Sequence, residues 1–148
     1  MKLNHLAWAI APLALVAGCK GAGGPQSAGE AGVSEARILA AQPAEWLSTG
    51  RTYDEQRFSP LDQINKNTVK DLGLAWYADM DTARGQEATP LAIDGKIYIT
   101  TAWSKAKAYD ALTGKLEWEY DPKVPGERGV AACCDVVNRG MAAWGDKL

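Results

Sequence analysis

Two cysteines stand side by side, Cys133 and Cys134, in the segment GVAACCDVVNRG. Bonded to each other they would close an eight-membered ring and strain the peptide between them. Left as thiols they behave as small apolar side chains suited to burial. Arg139 follows Cys134 by five residues. Its guanidinium offers planar, two-pronged hydrogen bonding that suits a carboxylate, and on a bare surface it would simply be solvated. Glu87 lies between Gln86 and Ala88-Thr89-Pro90. It is either a solvated carboxylate at a strand end or a ligand group that needs a nearby cation or a shared proton. Asp135 and Asn138, in the same stretch as Arg139, have the residue types of loop shapers. The single histidine is His5, so no imidazole beyond it can serve as a general base or a metal ligand. No C-x-x-C-H run is present to attach a c-type haem.

The elements that must position these residues begin after a leader. Lys2 is followed by an apolar run from Leu6 to Ala17, twelve residues long. That is too short to span a bilayer and the right length for a secretory signal core. It ends in Val16-Ala17-Gly18-Cys19. Small residues before a cysteine resemble a bacterial lipobox, which predicts a signal peptide over 1–18 and acylation of Cys19. Residues 19–34 are rich in Gly, Ala and Ser without apolar periodicity, the composition of a flexible tether. Export would place Cys133 and Cys134 in an oxidising compartment. Hydrophobic content of 47% and a net charge of -2 exclude a strongly basic nucleic-acid binder and a highly charged disordered chain. Six Trp against one Phe favours interfaces that are buried yet hydrogen-bonded.

Beyond the tether, Ser34 is placed to cap a short helix over 35–41, a turn is expected over Ala44–Leu47, and Asn67 is placed to cap a turn over 68–72. From Leu74 the pattern changes to short strands: Leu74–Ala78, Pro90–Ile93, Lys96–Thr101, Lys105–Tyr109 and Leu116–Tyr120. Asp94-Gly95 is a hairpin signal because both residues tolerate positive φ, and Thr113-Gly114 is a second turn. The class is therefore mostly β. Leu74-Ala75-Trp76 recurs as Leu116-Glu117-Trp118, 42 residues later. An acidic turn and then a strand pair follow each copy, PLAIDGKIYITT after the first and MAAWGDKL after the second. A period near 40 with about four strands per unit fits a β-propeller blade.

The segment AYDALTGKLEW, Ala108 to Trp118, carries Ala-x-Asp-x-x-Thr-Gly-x-x-x-Trp. It resembles the tryptophan-docking motif of quinoprotein propellers. Ala108 leaves room for an indole, Asp110 and Thr113-Gly114 close the turn, and Trp118 ties one blade to the next. Three further segments carry a closer resemblance, to pyrroloquinoline quinone (PQQ) dehydrogenases of the alcohol-dehydrogenase type. GRTYDEQRFSPLDQIN (Gly50–Asn65) is similar to their opening segment, GQEATPLAIDGKIYITTAWS (Gly85–Ser104) to their first blade, and CCDVVNRGMAAW (Cys133–Trp144) to their vicinal-cysteine loop. The wording is closer to quinohaemoprotein and membrane-associated alcohol dehydrogenases than to methanol dehydrogenase.

This resemblance implies an all-β fold, with residues 35–148 forming the first part of an eight-bladed quinoprotein β-propeller, about one blade and the start of the next. It implies a Cys133–Cys134 disulfide lying flat against one face of PQQ, with Glu87 and Arg139 contacting the cofactor. It also implies oxidation of an alcohol to an aldehyde in the periplasm, with electrons passed to a cytochrome c or a quinone. In the family, calcium or a lanthanide is held by a Glu and an Asn, and an Asp takes the alcohol proton. Those residues have no match within 148, so the chain alone is expected to be inactive and weakly stable. A different class remains open, a non-catalytic propeller lipoprotein of the outer-membrane assembly type. Such a scaffold would share the lipobox and the docking motif but would have no use for Cys133, Cys134, Arg139 and Glu87.

Overall fold

The computed structural model describes residues 32–148; the leader, Cys19 and most of the tether lie outside the described residues. Ser34 adopts extended backbone and its hydroxyl accepts from the Arg37 N–H, which starts helix α1, Glu35–Ala40. The helix ends at Ala41, which takes the left-handed conformation at φ 46°. Arg37 then fastens α1 to the rest of the chain. Its guanidinium pairs with Glu45 and Asp94 and donates to the Gly32 carbonyl at 3.1 Å.

Four strands follow, β1 (Leu91–Ile93), β2 (Lys96–Thr100), β3 (Ala106–Asp110) and β4 (Leu116–Tyr120). They form one antiparallel sheet in sequence order, which is a single propeller blade. The β1–β2 hairpin turns at Asp94 and Gly95 with φ of 51° and 74°. Positive φ at both central residues gives the twist that matches two antiparallel strands. Between β3 and β4 the Asp110 carboxylate accepts from the Leu112 and Thr113 N–H groups and the Thr113 hydroxyl, at 3.1, 2.7 and 2.7 Å. Gly114 completes that turn at φ 72°. Ala108 pairs with Trp118 and Tyr109 with Leu116, so Glu117 is the extra residue of a bulge and reaches Lys96 across the sheet.

Burial is uneven across the blade. Leu91 and Ile93 of β1 are buried, as are Lys107, Ala108 and Tyr109 of β3, whereas every residue of β4 is exposed. The apolar core lies on the β1 side, where Val33, Ile38, Leu47, Leu91, Ile93 and Ala143 pack with Tyr98 and Met141 at their margin. Trp46 and Ala92 exchange N–H···O bonds of 2.8 and 3.0 Å, so the chain near Trp46 runs beside β1. Val33 and Gly145 exchange a similar pair at 2.8 and 2.7 Å.

Four expectations are corrected. Leu74–Ala78 is not a strand; among the described residues no neighbouring strand offers it a ladder partner, and Leu74 is 80% exposed. It is held through one side chain instead. The Trp76 indole N–H donates to the Ala111 carbonyl at 3.0 Å, and its ring stacks on Tyr109 with centroids 6.2 Å apart. The expected turn over Ala44–Leu47 is confined to Pro43-Ala44, because Trp46 is drawn into the bridge with Ala92. The turn over Val69–Asp71 is not capped by Asn67. Asn65 does that work: its carbonyl accepts from the Val69 N–H, and its side-chain oxygen accepts from the Asn67 N–H. MAAWGDKL forms isolated bridges, Trp144 to Lys147 and Gly145 to Val33, rather than a strand pair.

Candidate functional site

The vicinal cysteines lie in the crossing that leaves the blade after β4. A short 3-10 stretch, Gly126–Ala131, leads into them. Both are exposed and unbonded, with their sulfur atoms 2.9 Å apart. Four anchors then hold the loop over the edge of the blade. The Arg84 guanidinium pairs with Asp135, and its central carbon lies 5.5 Å from the centre of the Trp103 ring. The Trp103 N–H donates to the Val136 carbonyl at 2.9 Å. The Asn138 carboxamide bonds to Thr100 and Ser104 at 2.7 and 3.2 Å. The Thr89 N–H donates to the Arg139 carbonyl at 3.2 Å.

These anchors use unusual backbone. Trp103, Ser104 and Asp135 all have positive φ, at 65°, 54° and 68°. A bulky residue such as Trp seldom adopts that region. Here it turns the chain between β2 and β3 so that the Trp103 N–H meets the loop and its ring lies under Arg84. The loop packs closely on the blade as well. A Cβ added to Gly129 would meet Trp103 and Val136 at 3.4 Å, and one added to Gly85 would meet Val137 at 3.5 Å.

The same crossing brings together two residues that are 52 positions apart. Arg139 Nε–H donates to a Glu87 carboxylate oxygen at 3.2 Å, and the two side chains are 72% and 46% exposed. Among the described residues the other nitrogens of Arg139 have no partner. Gln86, just before Glu87, donates to the Thr100 carbonyl at 2.6 Å, which ties the segment carrying Glu87 to the end of β2. Arg139 and Glu87 are thus in direct contact, and Cys133 and Cys134 lie earlier on the loop that carries Arg139. Cys19 lies outside the described residues. Asn138 and Asp135 shape the loop, as their residue types suggested. Arg84, Trp103 and Thr100 were not singled out from sequence, and no motif marks them.

Beside this edge lies a charged cluster. Lys105 donates to Asp81 at 2.6 Å and stands 3.4 Å from Asp121, while the buried Lys107 stands 3.4 Å from Glu119 and 3.7 Å from Asp81. The Lys105 ammonium holds the Asp81 carboxyl below its ordinary range. Lys123, through its ammonium and its backbone N–H, brings Asp121 down to about 2. Among the described residues no group of three or more His, Cys, Asp or Glu is arranged to hold a metal ion, and no helix is long and apolar enough to cross a membrane.

Known proteins share this sequence and this shape. Residues 46–148 match the PQQ family described as glucose/ethanol/alcohol dehydrogenase, beta-propeller domain. The chain is 58% identical over 121 residues to the dehydrogenase subunit of the alcohol dehydrogenase (quinone) of Komagataeibacter europaeus, a match covering 81% of this chain and 16% of that protein. The chain therefore spans about one sixth of the length of that relative. Among solved structures, it resembles the quinohemoprotein alcohol dehydrogenase ADHIIG of Pseudomonas putida HK5 at a TM-score of 0.74 and 53% identity, covering 76% of this chain and 17% of that one. A europium-containing methanol dehydrogenase gives a TM-score of 0.65 at 30% identity, covering 74% and 22%. With the blade, the docked Trp76 and the cysteine loop in place, this chain belongs to the PQQ-dependent alcohol dehydrogenase family, as a part of its β-propeller domain.

Proposed function

We propose that the chain works as the opening part of a longer PQQ-dependent dehydrogenase that oxidises alcohols to aldehydes, and that its cysteine loop forms one wall of the cofactor site. The observation that carries this reading is the Arg139–Glu87 contact on the same anchored loop as Cys133 and Cys134. The donor set fits the cofactor. PQQ is planar and carries three carboxylates; Arg139 keeps its terminal N–H groups available, and adjacent sulfurs offer a flat, polarisable surface. When bound, PQQ supplies the two-electron acceptor for the alcohol, and the protein supplies binding, orientation and polarity. Arg139 would hold a carboxylate or quinone oxygen of the cofactor. Glu87 would keep the Arg139 side chain on that edge, with the guanidinium offsetting its charge toward an anionic ligand. A Cys133–Cys134 disulfide would make the wall rigid; the two sulfurs already stand in contact.

The remaining parts of the site, a calcium or lanthanide ion with its ligands and the base for the alcohol proton, would come from residues other than the described ones. Electrons would pass to a cytochrome c or a quinone. Residues 1–18 would direct export, and a lipid on Cys19, spaced by residues 19–34, would hold the enzyme at the membrane in the periplasm. Lys2, the apolar run and Val16-Ala17-Gly18-Cys19 support that placement.

The test uses the full-length enzyme purified from membranes. PQQ titration in the presence of calcium, followed by tryptophan quenching, should show tight binding. Dye reduction with ethanol should require PQQ. Arg139→Ala, or replacement of both Cys133 and Cys134 by Ala, should weaken cofactor retention by about tenfold or more while folding is kept. Residues 32–148 alone should give no turnover, because loss of a general base by itself costs about 100- to 10,000-fold. Intact mass before and after reduction and alkylation reports both the bonded cysteines and an acylated Cys19. A full-length protein that neither binds PQQ nor oxidises alcohols would sink the reading.

A further inference from the structure

Arg139 presents a puzzle of placement. Its side chain is 72% exposed and, among the described residues, is hydrogen-bonded only to Glu87. Its backbone, by contrast, is fixed on both sides. The Arg139 carbonyl accepts from the Thr89 N–H at 3.2 Å, and the next N–H, of Gly140, donates to the Asn138 side-chain oxygen at 2.9 Å. Gly140 sits at φ +131°, and a Cβ there would stand 3.2 Å from the Thr89 carbonyl oxygen, so the chain passes close to Thr89, just before β1, in a backbone conformation that favours glycine. The main chain at Arg139 therefore fixes where its side chain starts, Glu87 receives the guanidinium, and Asn138 and Thr89 together hold that main chain.

The Asn138 carboxamide is well used. A backbone N–H can only donate, so the Gly140 contact identifies the accepting atom as Oδ1. The same oxygen accepts from the Thr100 hydroxyl at 2.7 Å, and the Nδ2 group donates to Ser104 Oγ at 3.2 Å. Thr100 is 5% exposed and closes β2, the middle of the blade. Asn138 therefore links a buried strand end to the residue beside Arg139, and it does so with three hydrogen bonds from one short side chain. Removing the carboxamide would leave the sheltered Thr100 hydroxyl without its partner and release the Arg139–Gly140 turn.

We propose that Asn138 is a positioning residue that acts through Arg139: it sets the direction of the guanidinium, and through it the affinity for the anionic cofactor. This rests on the reading that Arg139 binds PQQ. The experiment is equilibrium binding of PQQ, in the presence of calcium, to the full-length apoenzyme, with a double-mutant cycle over Asn138→Ala and Arg139→Ala. Asn138→Ala should weaken binding by about tenfold, the scale of supporting hydrogen bonds around bound groups. In the Arg139→Ala background the same change should have no further effect, because the group it positions is gone. A general loosening of the fold would instead add to the loss in both backgrounds, and that additivity would overturn the proposal. So would wild-type affinity in Asn138→Ala when Arg139→Ala binds weakly. Thr100→Val covers the case in which Asn138→Ala does not fold. It removes one of the three bonds at nearly constant shape, and it should weaken binding by a smaller factor that also vanishes without Arg139. Wild-type affinity in Thr100→Val, or an equal effect with and without Arg139, counts against the proposal. If the wild-type apoenzyme fails to bind PQQ at all, the cofactor reading falls first and this inference with it.

Discussion

Trp76 and Trp118 occupy the same place in two copies of one motif, yet they live differently. Trp76 has its turn but no sheet. Its indole is bonded to Ala111, stacked on Tyr109 and laid over Gly114, while its own backbone from Leu74 to Ala78 is in no strand. Trp118 has its sheet but no turn. It sits in β4 opposite Ala108, meets Tyr98 at a ring distance of 6.0 Å, and lies at an open cleft of about 430 Å³. The difference shows that the two functions of the motif are separable. Strand formation needs a preceding strand to pair with, and docking needs a following turn to receive the indole. Each repeat shows the half for which this chain supplies the neighbour.

The largest effect is expected where docking and turn strain coincide. An alanine Cβ at position 114 would lie 2.5 Å from the Trp76 ring, at a backbone φ of +72°. Gly95 has nearly the same φ, +74°, and nothing within 4 Å. Gly95→Ala thus reports the backbone cost alone, about 1–2 kcal/mol, and Gly114→Ala adds an overpacking term of about 1–3 kcal/mol. Hydrogen-exchange protection of the β3–β4 hairpin should drop clearly more for Gly114→Ala than for Gly95→Ala. Equal losses would mean that Trp76 does not hold the hairpin.

A second, smaller effect separates the two tryptophans directly. In residues 32–148, Trp76→Ala should lower protection of the Gly114 and Asp110 amides, by about 1–3 kcal/mol, because the half-buried indole and its bond to Ala111 are lost. Trp118→Ala should cost less than 1 kcal/mol there. In the longer dehydrogenase proposed above, the two costs should converge if Trp118 gains there a turn to dock on. A Trp118→Ala effect that stays small at full length would break the parallel between the repeats.

The same distinction explains what sequence could reveal. The hairpin at Asp94-Gly95, the Asp110 turn and strand β4 follow from local chemistry: positive φ, an Asx turn and alternation. Cys133, Cys134, Arg139 and Glu87 stand out in the sequence because they lie in segments that resemble a known family. The anchors of that site do not. Arg84 meets Asp135 across 51 positions and Thr100 meets Asn138 across 38, and nothing in the local sequence of Arg84, Trp103 or Thr100 announces those partners. Leu74–Ala78 departs from the strand its pattern predicts for the related reason that alternation makes a strand only when another strand lies beside it.

The smallest expected effect concerns the charges that join the segment before the blade to the blade itself. Asp81 lies in that segment and is bonded to Lys105, just before β3, while Asp121 follows β4 and is bonded to Lys123, with Lys105 at 3.4 Å. Both carboxyls are held below their ordinary value of 3.8, Asp81 chiefly by the Lys105 ammonium and Asp121, at about 2, chiefly by Lys123. A carboxyl whose proton is bound less readily in the folded state stabilises that state above its unfolded value, and the benefit is lost as the pH falls through the folded value. The contribution is therefore present above pH 3.8 and is lost below it, for Asp121 as the pH falls to about 2 and for Asp81 as it falls through that group's own lowered value. Protection factors for residues 79–84 and 105–123, corrected for intrinsic exchange, should fall across that window. Asp81→Asn should reduce protection of 79–84 near neutral pH and flatten its acid dependence, while leaving the Asp121 contribution at 118–123. Because these pairs are partly exposed to solvent, the effect should be modest and should shrink further at about 1 M salt, where screening acts within about 3 Å. An acid dependence at 79–84 that survives in Asp81→Asn would show that another group, and not the Asp81–Lys105 pair, holds this segment to the blade.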